Sequence, residues 1–337
     1  METCNPDEYE LTYKALVPDR KIHQVIYDKK NCRSGYIHTK KYKEDDSYCA
    51  PYLVYKIGKK VGINVPETEM RAVLYINIDK IFYRDSFSES SIVYFADNLW
   101  LGKYPLINSG YSYVSQEVAQ DDYLMRNPGI AEERRKGMYG RALPQMVDDY
   151  VNANLYFLTT RGSKPREEYS NNEIDEMKQE LIDRALFGLR FGIHGNFDIT
   201  LKDNRNAKLA PYYLANDNMF CLGVREEWIN EQLSKTDQEL KTVLGGVYTP
   251  QYGLLPNVVA PTSIDVIKYI YEHYPKQAEK SYEKLSSFTE QDLEEELKEC
   301  TCMSECHKKF ALRAFRIRCQ EFDECYQEHV QAQNIEI

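Results

Sequence analysis

The segment LFGLRFGIHGNFDITLKDNRNAKLAPYY, residues 186–213, is the most informative part of this sequence. It starts in an amphipathic run, passes through a polar loop at 193–196 and then reads as two short apolar stretches. We expect strands at 197–201 and 208–213, because Lys, Asp, Asn and Arg cluster between them as in a turn. The segment therefore predicts a long helix that leads into a polar loop, followed by a β-hairpin.

Apolar residues recur at helical spacing before this segment, from residue 172 onward. The stripe consists of Ile174, Met177, Leu181, Ala185, Leu186 and Leu189. Acidic residues in the first turn suit the positive end of the helix dipole. Gly192 interrupts the run, and the pattern predicts one amphipathic helix that ends near it.

The N-terminal part reads as strands and one helix. Apolar stretches at 22–27 and 34–40 flank a polar turn, which makes a hairpin plausible. Leu53, Ile57 and Val61 recur at helical spacing, and Gly62 is a good stop signal. Residues 71–82 then alternate between apolar and polar, as a half-buried strand does.

The C-terminal part is predicted to be mainly helical. Ser263 is placed to cap one helix, and Thr289 with Asp292 resembles a capping box. Residues 294–333 read as a single charged helix with Leu297, Phe310, Phe315 and Phe322 along it.

Composition excludes several classes of protein. The 337 residues carry a formal net charge of −10, which argues against binding to a phosphate backbone, so we expect no direct nucleic-acid binding. No stretch approaches the roughly 18 apolar residues of a membrane helix. The acidic start lacks the apolar region of a secretory signal, so we expect a cytoplasmic protein without a membrane partner.

The nine cysteines raise the question of a metal. Cys300, Cys302, Cys306 and His307 together offer three sulfurs and one imidazole, which is enough for a tetrahedral zinc shell. The spacing is not the usual Cys-x₂-Cys pair, however, and in a helix Cys300 points away from Cys306. We therefore favour cysteines that act as small hydrophobic residues and do not expect these four residues to bind zinc.

Two blocks of the sequence resemble the HipA-type serine/threonine kinases. Those kinases follow a Leu-Phe helix with Asp-x-His-x-x-Asn-Phe, a strand pair and Leu-x-Pro-hydrophobic-Tyr/Phe-Asp. Here the order is Leu186-Phe187, His194-Gly195-Asn196-Phe197 and Leu209-Ala210-Pro211-Tyr212-Tyr213. They also carry a helix that ends in Leu-Gly-x-x-Leu-Gly-Ile-x-x-Pro-Glu, and residues 57–67 read IGKKVGINVPE. The resemblance covers about residues 20–300.

The resemblance implies a nucleotide site that uses ATP and Mg²⁺. Lys40 or Lys41, at the end of the second strand of the N-terminal hairpin, fits the lysine that holds the phosphates. Asn196 fits the metal-binding Asn, with Asp198 or Asp217 as the second Mg²⁺ ligand. His194 is the general-base candidate in the loop, since an imidazole can accept a hydroxyl proton near neutral pH.

The sequence departs from the family at three carboxylates. The family's catalytic Asp lies five residues before the Asn, where this chain has Phe191, and its metal-binding Asp falls on Leu214. No acid stands near Pro51, where the glutamate that braces the lysine is expected. Two hypotheses stay open: a divergent active kinase, and a pseudokinase that binds a nucleotide or a protein.

The sequence-based expectation is thus an α+β, two-lobed protein-kinase-like (HipA-like) fold. A small N-terminal β-rich lobe spans residues 1–115, and a larger, mainly helical lobe spans 116–337. The latter contains a catalytic-loop-like hairpin at 190–220 and a Cys-rich helical tail at 290–337. The resemblance implies a protein substrate, or a protein partner like the antitoxins of toxin–antitoxin pairs.

Overall fold

We analysed a computed structural model of the chain. It describes residues 9–16, 22–28, 33–39, 46–74, 92–101, 107–108, 143–160, 162–193, 199–202, 205–209, 211–212, 220, 222, 224–244, 262–301 and 303–335.

The N-terminal strands form one antiparallel sheet. The strands are β1 (Tyr9–Leu16), β2 (Ile22–Asp28), β3 (Arg33–Thr39), β4 (Thr68–Leu74) and β5 (Ile92–Leu101). Their order in the sheet is β1-β2-β3-β5-β4. β2 pairs with β3 with Val25 opposite Tyr36, which confirms the predicted hairpin. The predicted strand at 71–82 starts earlier, as β4; residues 75–91 lie outside the described residues.

Three short strands form a second antiparallel sheet. β6 (Ile107–Asn108) pairs with β7 (Ile199–Lys202), and β7 pairs with β8 (Arg205–Leu209). The hairpin predicted after the long helix is therefore confirmed, with a tighter turn than expected. β6 brings a segment from far upstream alongside it.

Helices account for most of the described chain. Their bounds are α1 (Ala50–Val61), α2 (Leu143–Thr160), α3 (Asn171–Phe191), α4 (Glu226–Leu233), α5 (Asp237–Leu244), α6 (Ser263–His273), α7 (Pro275–Leu285), α8 (Glu290–Glu299) and α9 (Glu305–Ile335). Short 3₁₀ turns lie at Ser47–Cys49 and Arg166–Glu168. Among these described helices, none is both long and apolar enough to cross a membrane.

Capping side chains and glycines fix several helix ends. Gly62 ends α1 in a left-handed conformation, as predicted. Thr289 and Asp292 form a reciprocal capping box at α8, which confirms that prediction. The cap of α6 is Thr262, paired with Asp265, so the prediction of Ser263 as the cap was wrong by one residue.

The last helix runs through the centre of the described core. α9 contacts α3, α4, α5, α6 and α8, and its Phe310, Phe315 and Phe322 are buried. A helix that touches so many others needs an apolar surface on more than one side, which accounts for its spread of aromatic residues.

The prediction of one helix over 294–333 was wrong. α8 ends at Glu299 and α9 begins at Glu305. Ser304 accepts a hydrogen bond from the backbone N–H of His307, three residues on, as an N-cap does. The Asp46 carboxylate accepts from the backbone N–H of Ser304 at 2.9 Å. A partner far away in the sequence therefore helps to form the break, and helical periodicity could not reveal it.

The predicted α+β class was also wrong for the described part of the chain, which is mainly α-helical. The alternating patterns near the N-terminus do form strands, but helices make up most of the residues that the structure describes. In residues 262–335 helix follows helix, and the predicted class gave too little weight to this part. The domain ranges 1–115 and 116–337 stay predictions, because residues 109–142 lie outside the described residues.

A buried carboxylate joins α3 to α7. Asp183 on α3 accepts hydrogen bonds from Gln179 at 2.9 Å and Ser281 at 2.6 Å. Lys284 Nζ lies 2.6 Å from its other oxygen. Because Asp183 is almost fully buried, these donors replace the water that its charge would otherwise require.

We expect Asp183→Ala to lower the free energy of unfolding by about 2–3 kcal/mol, because Ser281 and Lys284 lose their acceptor; the partial exposure of Lys284 keeps the loss below that of a fully buried pair. The matched control is Asp175→Ala, because Asp175 is also on α3 and forms an exposed ion pair with Lys276 of α7. This change should cost less than about 1 kcal/mol. Urea unfolding followed by circular dichroism measures both. Equal losses would contradict the role given to Asp183.

Candidate functional site

The six residues predicted for the nucleotide site lie outside the described residues. They are Lys40, Lys41, His194, Asn196, Asp198 and Asp217. The structure does describe the elements that flank them: β3 ends one residue before Lys40, α3 and Ile193 lead to the loop, and β7 follows it. These elements define the scaffold of the candidate site.

The loop begins at a left-handed turn. Gly192 has φ 63° and its N–H donates to Gly188 O, which ends α3. Ile193 N–H donates to the same carbonyl at 2.9 Å. On α9, Arg318 packs against this turn and donates to Leu244 O at 2.7 Å. The direction in which the chain leaves α3 is thus fixed by backbone hydrogen bonds and by a side chain held from α9.

Tyr212, just after β8, connects the two ends of the hairpin region. Its side chain is buried and its hydroxyl donates to Ile193 O at 3.1 Å. Its ring makes an edge-to-face contact with Phe187, with centroids 5.3 Å apart. A Cβ at Gly188 would lie 2.7 Å from the Tyr212 hydroxyl oxygen, so the close approach requires a glycine there.

The backbone of Tyr212 reaches the other block of the family resemblance. Tyr212 N–H donates to Asn64 O at 2.7 Å. Asn64 belongs to the loop after α1, within residues 57–67, and Gly58 of the same block approaches Val65 closely. The two sequence blocks that carried the resemblance are therefore in direct contact.

Phe191 is a core residue. It is fully buried and its ring contacts Phe187, Phe288 and Phe315. Counting back from Asn196 places the family's catalytic aspartate at this position. A side chain that packs among three aromatic rings does not face a cleft, so position 191 offers no general base. Leu214, the other expected aspartate position, lies outside the described residues.

Sequence reasoning missed a buried polar centre at Asp46. Its backbone N–H donates to Leu222 O at 3.0 Å, and its carboxylate lies 2.9 Å from Nδ1 of His307. Nε2 of His307 donates to Val224 O at 2.8 Å. Burial alone would lower the pKa of His307, but the hydrogen bonds with Asp46 and Val224 raise it above its ordinary value. The partners are so far apart in sequence that no local pattern could have revealed them.

A groove of about 650 Å³ lies on another face of the helical core. Its lining includes Arg190, Phe288, Glu290, Arg316 and Cys319. Glu290 pairs with Arg316 within this lining. The family resemblance places the candidate site in the loop region after α3, and we keep that assignment as a prediction.

Comparison with known proteins supports a kinase-like fold. No protein-family model and no curated protein sequence matches the chain. A crystal structure of the Helicobacter pylori proinflammatory kinase CtkA is similar, with a TM-score of 0.58 and 12% sequence identity. The match covers 96% of this chain and 98% of that one. At this identity the similarity shows the fold alone: the chain has a kinase-like fold.

We expect Gly192→Ala to lower the free energy of unfolding by about 2–3 kcal/mol. A left-handed alanine costs about 1–2 kcal/mol, and its Cβ would lie 2.7 Å from Nε of Arg318, whose position is fixed by its hydrogen bonds. Gly62→Ala is the control, because Gly62 is also left-handed but its Cβ would meet only Lys284 Cε, at 3.3 Å. That control should cost about 1 kcal/mol in urea unfolding. A Gly192 variant no less stable than the control would refute the role given to Arg318.

Tyr212→Phe should destabilise the protein by about 1–2 kcal/mol, because the Ile193 carbonyl loses its donor in a buried place. Tyr55→Phe removes a half-exposed hydroxyl that accepts from the exposed Lys59, and we expect a change below about 0.5 kcal/mol. Thermal unfolding followed by calorimetry measures both. If the two variants melt alike, Tyr212 does not hold the start of the loop.

Proposed function

We propose that this protein is a HipA-like ATP-dependent kinase that phosphorylates a serine or threonine of another protein. The observation that carries the proposal is the hydrogen bond between Tyr212 and Asn64, because it joins the two blocks of family resemblance inside a kinase-like fold. The match to a solved kinase along nearly the whole chain supports it. Fold similarity alone would not specify an activity.

The residues that we assign to the reaction are those that the family resemblance indicates. Lys40 or Lys41 would bind the phosphates of ATP, and Asn196 with Asp198 or Asp217 would hold Mg²⁺. These side chains supply an ammonium group and hard oxygen ligands, which are the groups that phosphates and Mg²⁺ prefer. The bound ion would neutralise charge on the transferred phosphoryl group.

His194 is the residue that we assign to the substrate hydroxyl. It is the second residue after Gly192, which ends α3 in a left-handed conformation. An imidazole accepts a proton at neutral pH without a carboxylate partner. We propose that it takes the hydroxyl proton in place of the family's aspartate.

A pseudokinase is the second candidate function, and the position of Phe191 favours it. No carboxylate occupies that place, and the ring is buried in the core. A chain without the catalytic aspartate would still bind a nucleotide or a protein. The partner that the resemblance implies is a DNA-binding, antitoxin-like protein, so that any contact with DNA would be indirect.

Nucleotide binding is tested by thermal shift. We expect millimolar ATP with Mg²⁺ to raise the melting temperature by a few degrees, because a ligand at 100 times its Kd stabilises by about 2.7 kcal/mol. Asn196→Ala should abolish the Mg²⁺-dependent part of this shift. Asn230→Ala, an exposed position on α4, is the control and should keep it. A Mg²⁺-dependent shift that survives in Asn196→Ala would show that the site assignment is wrong.

Phosphoryl transfer from labelled ATP separates the two candidate functions. A kinase labels itself or a protein substrate, and the label should fall at least tenfold in His194→Ala and in the double variant Lys40→Ala/Lys41→Ala. A chain that shows the ATP shift without transfer to any protein is a pseudokinase. Absence of both shift and transfer would leave only a protein-binding role.

A further inference from the structure

A cluster of metal-ligating side chains lies at the start of α9 and shares no residue with the proposed nucleotide site. It consists of Glu226, Cys306 and His307. Glu226 is the first residue of α4, and the other two lie in the first turn of α9. One ligand atom from each residue lies within 4.8 Å of the other two. Three groups that bind metals thus converge from two helices that are far apart in sequence.

His307 is oriented as a metal ligand requires. Nε2 is 2.8 Å from Val224 O, and Nδ1 is 2.9 Å from the Asp46 carboxylate and 2.8 Å from Ser304 Oγ. A metal on either ring nitrogen would displace the partner that now faces that nitrogen, while the other nitrogen would keep an acceptor that fixes the ring. Metal-binding histidines in proteins nearly always have such a carbonyl or carboxylate behind them. Because His307 is fully buried, its ring cannot rotate away.

The donor set selects the kind of metal. One sulfur, one imidazole nitrogen and one carboxylate oxygen suit Zn²⁺, which accepts all three types. Ligand atoms around tetrahedral zinc lie roughly 3.3–3.8 Å apart, so a small rotation of the half-buried Glu226 and Cys306 side chains would close the shell. The open side leaves a fourth position for water or for Asp46.

We propose that Glu226, Cys306 and His307 form a Zn²⁺ site that fastens the start of α9 to the start of α4. Asp46 acts behind His307 as a positioning residue or completes the shell. On binding, the Cys306 thiol loses its proton to solvent and its sulfur becomes a thiolate ligand; no oxidation takes place. Burial raises the pKa of Cys306 without the metal, and the charge of bound zinc overcomes this by deprotonating the thiol.

This site differs from the four-residue zinc set considered in the sequence analysis. Cys300 is not part of it: burial and a hydrogen bond with the Cys300 side chain raise the pKa of Cys49, so Cys300 faces Cys49. Cys302 lies outside the described residues. In the proposed site, the carboxylate of Glu226, about eighty residues upstream of Cys306, is a ligand instead of the sulfurs of Cys300 and Cys302.

Cobalt substitution tests the proposal, because a thiolate bound to Co²⁺ gives a charge-transfer band in the near ultraviolet. The full chain is stripped with EDTA, dialysed and titrated with Co²⁺ alone. We expect the band to saturate at about one ion per chain, to disappear in Cys306→Ser and to persist in Cys325→Ser. Cys325 is a cysteine on the same helix but outside the cluster.

Zinc affinity supplies a second measurement. Competition with a chromophoric chelator should show Zn²⁺ binding that weakens at least about tenfold in Glu226→Gln, a loss of the size seen when a metal site is disturbed. Helical circular dichroism verifies that each variant is folded, and Glu227→Gln, an exposed neighbour, should bind as the unchanged protein does. The proposal is overturned if no thiolate band appears, or if the band is the same in Cys306→Ser. In that case His307 serves only as the charged partner of Asp46.

Discussion

The buried hydroxyl and backbone N–H of Tyr212 are the contacts on which the candidate site depends. One bond closes the hairpin region onto Ile193, at the start of the loop, and the other reaches Asn64 behind α1. A buried hydrogen bond adds only about 0.5–1.5 kcal/mol to stability, but removing its donor costs about 1–3 kcal/mol, because the freed carbonyl has no water to accept from. The relation between these segments is therefore set by a residue that is itself unable to move into solvent.

The aromatic packing around α3 explains why this arrangement is rigid. Phe187 meets Tyr212 edge to face, and Phe191 stacks on Phe315 of α9 with ring planes 15° apart. Such pairs add about 0.5–1.5 kcal/mol beyond the area they bury. Since α9 contacts most of the other described helices, a shift at the end of α3 would have to displace much of the core. Phe191, which stands where the family has its catalytic aspartate, is part of this aromatic core at the end of α3.

Local chemistry could be predicted from the sequence, and long-range partners could not. The end of α1 at Gly62, the helix before Gly192 and the box at Thr289 each follow from residues a few positions apart. The break at Ser304 depends on Asp46, and the buried state of Phe191 depends on Phe288, just before α8, and on Phe315 of α9. For the same reason the fold class was wrong, whereas the order of the two family blocks was informative. The assigned nucleotide residues rest on that order alone and stay predictions.

Each end of α1 is fixed by residues that are distant in the sequence. Its N-terminal end is fixed by Asp46, whose carboxylate lies against Ser304 and His307, and β3 contacts the adjoining turn at Ser47–Cys49. Its C-terminal end is fixed by Asn64 through Tyr212. Twelve helical residues span about 18 Å. In the sequence, Lys40 and Lys41 directly follow β3, which contacts the turn at the N-terminal end of α1. The loop that carries His194 and Asn196 begins after Ile193, whose carbonyl accepts from Tyr212, and Tyr212 also binds Asn64 at the C-terminal end of α1. α1 therefore connects the strand that leads to the proposed phosphate-binding lysines with the start of the loop that carries the proposed Mg²⁺ ligand.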